Sequence, residues 1–110
     1  MPKLLLLLAL SAAVSSGAHA QFIQQRPLPD KGERGQLGAP QPLPLVQIGS
    51  GVLRLAPGGL IFDQNNRTIV HQHLPPGAQV YYTRDMNGDL QRIYILTEQE
   101  QARLDRARGR

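Results

Sequence analysis

Val80-Tyr81-Tyr82-Thr83-Arg84-Asp85-Met86-Asn87-Gly88-Asp89-Leu90-Gln91-Arg92-Ile93-Tyr94-Ile95-Leu96 is the stretch that decides the fold. Two runs rich in β-branched and aromatic residues flank Asn87-Gly88, a dipeptide that favours a type I′ turn because both central positions of that turn need φ above zero. Counting outward from Asn87 and Gly88 predicts the register. Tyr82 faces Ile93 and Val80 faces Ile95 on one side of the hairpin, while Tyr81 faces Tyr94 and Thr83 faces Arg92 on the other. The first side is the predicted core. The Tyr81–Tyr94 pair reads as a fold stabiliser rather than a ligand platform, since aromatic cross-strand pairs contribute roughly 0.2–1 kcal/mol.

The same logic works upstream. Val46-Gln47-Ile48 and Val52-Leu53-Arg54-Leu55 flank Gly49-Ser50-Gly51, and Leu60-Ile61-Phe62 and Thr68-Ile69-Val70 flank Asp63-Gln64-Asn65-Asn66-Arg67, where Asn tolerates positive φ. Ala56-Pro57-Gly58-Gly59 and Pro75-Pro76-Gly77 read as chain breaks. Downstream, Thr97-Glu98-Gln99-Glu100 spells a capping box, so a helix of about twelve residues is expected to follow. Its apolar content is only Ala102, Leu104 and Ala107, which limits what it can bury. Residues 46–110 are therefore expected to be mainly β: a small antiparallel sheet of two or more β-hairpins, four to five strands in all, with a short C-terminal α-helix.

At the other end, Lys3 precedes Leu4–Val14, a run broken only by Ser11, and Ala18-His19-Ala20 closes the segment. This is the layout of a secretory signal peptide over residues 1–20, with small residues Ala18 and Ala20 before the cut and Gln21 as the new N-terminus. Eleven helical residues reach about 16 Å against the ~30 Å of a bilayer core, so no transmembrane span is expected after cleavage. The expected destination is the periplasm, or the medium. The chain has no Cys, hence no disulfide and no thioether-linked lipid.

Between these parts, residues 21–45 read QFIQQRPLPDKGERGQLGAPQPLPL, with Pro27, Pro29, Pro40, Pro42 and Pro44 and no sustained apolar period. Proline fixes φ and removes donors, so this stretch is expected to be a disordered Pro/Gly-rich linker.

Composition bounds the function. A chain of 110 residues that is 41% apolar builds one small domain and excludes a multidomain enzyme. Its 12 Lys+Arg and 8 Asp+Glu give a formal charge of +4, and cleavage would remove Lys3. Export argues against nucleic acid as a partner. The C-terminal arginines Arg103, Arg106, Arg108 and Arg110, interleaved with Glu98, Glu100 and Asp105, read as a solvated helix face, with weak contact to an anionic envelope surface as the functional alternative.

His71-Gln72-His73 is the one metal-like spacing. On a strand, residues i and i+2 share a face, so both imidazoles would point at one ion, although a catalytic zinc usually takes three protein ligands. Asp85-Met86-Asn87-Gly88-Asp89 opens like an oxygen-rich Ca²⁺ loop, but Leu90 and Leu96 stand where an EF-hand requires Gly and a bidentate Glu. Ser50, Thr68, Thr83 and Thr97 lie in no nucleophile elbow, and Asp63, Asp85 and Asp89 occupy predicted turns. No catalytic residue and no cofactor are expected. The expected function is that of a small exported, non-enzymatic binding or accessory module acting by contact with an envelope protein or by self-association, because an open sheet presents unpaired edges. The alternative is a periplasmic metal- or ligand-binding protein using His71 and His73.

Overall fold

The structure, a computed structural model, describes residues 25–108. The signal-peptide reading, with Ala18, Ala20 and Gln21, lies outside those residues. Among the described residues, six strands and one α-helix follow in chain order: β1 (Glu33–Gln36), β2 (Leu45–Ile48), β3 (Gly51–Phe62), β4 (Thr68–Ile69), β5 (Gln79–Arg84), β6 (Leu90–Ile95) and α1 (Glu98–Arg108). The domain is mainly β, with a curled sheet in the order β1-β5-β6-β3-β2 and β4 attached to β3. No helix among the described residues is long and apolar enough to cross a membrane.

The β5–β6 hairpin has the expected register: Val80 opposite Ile95, Tyr81 opposite Tyr94, Tyr82 opposite Ile93 and Thr83 opposite Arg92. Its turn is different. Only Gly88 takes positive φ (84°), Gly88 N donates to Asp85 O (2.9 Å), and Asp85 N donates to Asp89 O (2.8 Å), so the loop is one residue longer than a type I′ turn. Asp85 Oδ1 accepts from Asn87 N and Asp89 N, which stabilises this wider loop. The extra residue is offset at Gln91, where a bulge shifts the ladder from Arg84–Leu90 to Thr83–Arg92. The two one-residue departures cancel, and the interior pairs stay in place.

Three expectations are corrected. Residues 25–45 are not a free tether: Glu33–Gln36 pairs antiparallel with β5, and Leu37 enters the core. Proline and glycine in that stretch mark its turns, while the short run between them carries enough backbone donors for a ladder. Next, Ala56-Pro57-Gly58-Gly59 does not end a strand. It forms an irregularity inside the twelve-residue β3, between Leu55 and Leu60: Gly51–Arg54 pair with β2, Leu55 already pairs with Leu90 of β6, and Leu60–Phe62 continue along β6 while Ile61 and Phe62 also pair with β4. Finally, β3 and β6 run parallel, with Leu60 opposite Arg92 and Ile61 opposite Ile93, so the sheet is mixed rather than antiparallel.

The curl brings β2 back to β1. Leu37 bridges Ile48, Gly38 N donates to Gln47 O and Gly49 N donates to Gln36 O, both at 2.8 Å. This seam encloses Leu37, Val46, Ile48, Ile61, Val80, Tyr82, Leu90, Ile93 and Ile95. A second cluster lies on the outside of the hairpin, where Tyr81, Tyr94 and Leu96 pack beneath Leu28, Phe62 and Leu104 of α1. The sheet is thus covered on both faces at β5–β6 and presents few free edges.

Gly35 sits at the seam, where a Cβ would land on Ile48 Cγ2. Gly35→Ala is expected to destabilise the fold by about 1–3 kcal/mol through overpacking. In urea titrations the double variant Gly35→Ala/Ile48→Ala should cost less than the sum of the two single changes, and strict additivity would show that the seam is not in contact.

Candidate functional site

The capping box forms as the sequence predicts. Glu100 N donates to Thr97 Oγ1 and Thr97 N donates to Glu100 Oε1, each at 3.0 Å. The carboxylate that closes the box also meets Arg26: Nε donates to Oε2 at 2.8 Å and Nη2 to Oε1 at 2.9 Å. Both residues are buried, with 8% and 5% exposure. Arg26 Nη2 further donates to Ile95 O (2.7 Å), and Nη1 donates to Asp63 O (2.6 Å) and Asn66 Oδ1 (3.4 Å). All five guanidinium protons are therefore engaged. The guanidinium lies 5.4 Å from the Tyr94 ring centroid, and Tyr94 in turn stacks on Phe62 at 5.0 Å. Arg26 is a structural clamp between the N-terminal segment, the β3–β4 loop, the end of β6 and the helix start.

The β3–β4 loop is rigidified from within. Asp63 Oδ1 accepts from Asn65 N and Arg67 N at 2.9 Å, and Asn66 takes the positive φ (64°) expected of this turn. Gln64 Nε2 donates to Leu96 O at 2.8 Å. Above the clamp, this loop and α1 form the walls of a cleft of about 730 Å³. Gln64, Asn65 and Asn66 line one wall, and Gln99, Ala102, Arg103 and Arg106 line the other.

A second concavity, about 480 Å³, opens beside the seam between residues 37–47 and the segment that includes His71, Leu74 and Pro76. Pro40, Pro42 and Leu43 form its rim, and Leu43 is 69% exposed. The Leu43–Pro44 bond in this rim is cis.

His71 and His73 do not occupy a strand. They form a 3₁₀ turn, in which residues two apart diverge around the axis instead of sharing a face. His71 Nε2 is hydrogen-bonded to Leu45 O at 2.6 Å, which ties the turn to β2. The ladder of β4 ends at Ile69, so residues 71–73 lack the strand geometry required for a shared ion. Among the described residues, no three His, Asp or Glu side chains gather as a metal site. Tyr81 and Tyr94 are buried beneath Leu28 and Leu104, so they offer no open platform; Tyr81 Oη accepts from Gly32 N at 3.0 Å.

No protein-family model, curated protein or solved structure matches this chain.

Sequence reasoning missed Arg26. Arg26 lies 74 positions from Glu100 in the chain, and no local pattern links the two. The available signal was indirect: a capping-box Glu is a preformed carboxylate that a distant guanidinium can complete.

Removing either partner of this buried pair leaves an uncompensated charge, so Arg26→Ala or Glu100→Ala should cost roughly 3–5 kcal/mol in chemical denaturation. Burial pushes the Glu100 carboxyl up, but hydrogen bonds from Arg26 and the Thr97 amide, with the charges of Arg26 and Arg103, bring it below its ordinary value. A lowered folded value means that the pair stabilises the fold fully above the ordinary carboxylate range and loses that contribution as pH falls through the folded value. The stability gap between the natural chain and Glu100→Gln should accordingly narrow on acidification, and a constant gap from pH 7 to pH 3 would contradict this assignment. For the histidines, excess Ni²⁺ is expected to leave the melting temperature unchanged; a rise that disappears in His71→Ala would reinstate them as ligands.

Proposed function

We propose that the protein is a small exported binding module, periplasmic or secreted, that acts by protein contact and performs no chemistry of its own. The observation that carries this reading is the groove beside the seam. Its rim of Pro40, Pro42 and Leu43 is apolar and exposed; Leu43 and Met86 are the most exposed large apolar side chains among the described residues, and of the two Leu43 stands in an apolar wall whereas Met86 sits among the polar residues of the β5–β6 turn. An exposed leucine in a concave, proline-walled rim suits an apolar segment of a partner protein, because it can be buried without reorganising the fold. Proline walls lose little conformational entropy on binding, which favours contact through a surface already in place.

Two further observations support a contact role. Thr97 Oγ1, one of the four hydroxyls that a nucleophilic mechanism would call on, is occupied in capping α1. His71, one of the two available bases, is held by Leu45 O. The export part of the proposal rests on the sequence of residues 1–20 and on the absence of Cys, which leaves the domain no thiol to oxidise in an oxidising compartment. The seam pairs the end of β1 with β2 through Leu37 and Ile48, which shortens the free edge, so the groove replaces strand addition as the proposed mode of contact.

Affinity purification of the tagged chain from envelope extracts, with mass spectrometry, tests both halves of the proposal. The chain should begin at Gln21, and it should retain an envelope protein that Leu43→Asp fails to retain while melting at the same temperature. Intact chain beginning at Met1 in spheroplast lysate would overturn export. Identical retention by Leu43→Asp would overturn the groove.

A further inference from the structure

We propose that the cleft between the β3–β4 loop and α1 binds a phosphate group, independently of the groove beside the seam. In sequence, α1 carries three acidic residues, Glu98, Glu100 and Asp105, and three basic ones, Arg103, Arg106 and Arg108, so its formal charges cancel. In space they are sorted. Asp105 turns to the other side of the helix and pairs with Arg34. Glu100 lies at the cleft floor, but both of its oxygens are taken by Arg26 and the Thr97 amide. Glu98 does not line the cleft. What remains facing the opening is Arg103 and Arg106, one turn apart on a single helix face, where side chains three residues apart are neighbours.

Neither arginine is consumed by the fold. Arg103 makes one long hydrogen bond, Nη1 to Gln25 Oε1 at 3.3 Å, and Arg106 has no hydrogen-bond or ion-pair partner among the described residues. At the floor Arg26 and Glu100 offset each other, and Arg26 has no spare proton, so the positive charge of the cleft is that of Arg103 and Arg106. The facing wall supplies the side-chain amide of Asn65, and Gln99 adds a second on the helix side. Two guanidinium forks and two amides exceed what a carboxylate's two oxygens can accept, and they match the several acceptor sites of a tetrahedral phosphate. The loop wall is held in place by Asp63 and by the Gln64–Leu96 bond, so on that side of the cleft the backbone need not be ordered on binding.

A phosphate of this kind is carried either by a soluble ester or by a phospholipid headgroup. The test uses the protein purified from cells expressing the full-length sequence, followed by amide chemical shifts. Inorganic phosphate is titrated against sodium chloride at matched ionic strength, and vesicles containing phosphatidylglycerol are compared with vesicles of phosphatidylcholine alone. Saturable shifts at residues 64–66 and 99–106 with phosphate, weakened about tenfold by Arg106→Gln or Arg103→Gln and unchanged by Arg92→Gln on the outer face of β6, support the cleft with a soluble ligand. Silence with inorganic phosphate, together with vesicle binding that Arg106→Gln abolishes and Arg92→Gln preserves, supports the cleft with a headgroup. Loss of affinity as large in Arg92→Gln as in Arg106→Gln would show diffuse charge attraction and overturn the proposal. The absence of saturable binding in both arms would also overturn it. Melting curves of the variants establish that each is folded, and the Leu43→Asp protein should bind phosphate normally.

Discussion

A single buried guanidinium–carboxylate pair organises this domain. Removing two charges from water costs several kcal/mol per ion, so such a pair persists only where every remaining donor and acceptor is satisfied. Here that condition is met by position. Glu100 is oriented locally, through the capping box with Thr97, and Arg26 completes it with five engaged protons that also reach Asp63 O, Asn66 Oδ1 and Ile95 O. Four separate pieces of chain are thereby registered to one another. The helix especially needs this, because Ala102, Leu104 and Ala107 bury too little apolar surface to dock α1 on their own; Leu104 on the outer cluster and the Arg34–Asp105 pair complete the attachment.

A second constraint is the edge problem of a small sheet without disulfides. An open sheet of four or five strands exposes unpaired backbone on two sides. This domain bends the twelve-residue β3 at Ala56–Gly59 so that one strand serves two neighbours in succession, and it joins β1 to β2 through Leu37 and Ile48. Gly35 permits the close approach of Ile48 at that seam. The resulting interior is filled by side chains from five strands, and the outer face of the hairpin is filled by α1 and Leu28. Closure therefore decides where binding can occur: beside the seam, where the proline rim stands clear, and above the clamp, where the loop and helix diverge.

These two places differ in chemistry, and the difference follows from the chain segments that build them. The rim is made of Pro40, Pro42 and Leu43, whose side chains have no donors to offer, so it suits an apolar partner. The cleft is made of a turn rich in amides and a helix rich in arginine, so it suits an anion. In both cases the fold's own polar demands are met elsewhere, by Leu45 O for His71 and by Glu100 for Arg26, which leaves the lining groups at liberty.

Local rules made much of the strand content legible. The interior register of β5–β6, the Asp63–Arg67 turn with its positive-φ Asn66, the β2–β3 turn at Gly49-Ser50 and the Thr97–Glu100 box each depend on residues close together in the chain, and each follows from side-chain period, turn chemistry or capping. The type I′ assignment failed because the Asp85 carboxylate favours a wider loop, an energy that the Asn-Gly dipeptide alone does not reveal. What lay beyond the sequence involves pairing across long stretches. Glu33–Gln36 becomes a strand only because β5 is there to receive it, β3 passes through Pro57 because β6 and β2 hold its two halves, and Arg26 is a clamp only once Glu100 stands opposite. The amino-acid sequence by itself determined the interior register of the hairpin, the turns at residues 49–51 and 63–67 and the capped start of α1, since those preferences are encoded within a few neighbouring residues. Tertiary structure alone decided which segments meet, how the charges of α1 are sorted between two faces, and that His71 belongs to a turn, because these depend on contacts whose free energy exists only when distant parts of the chain have been brought together.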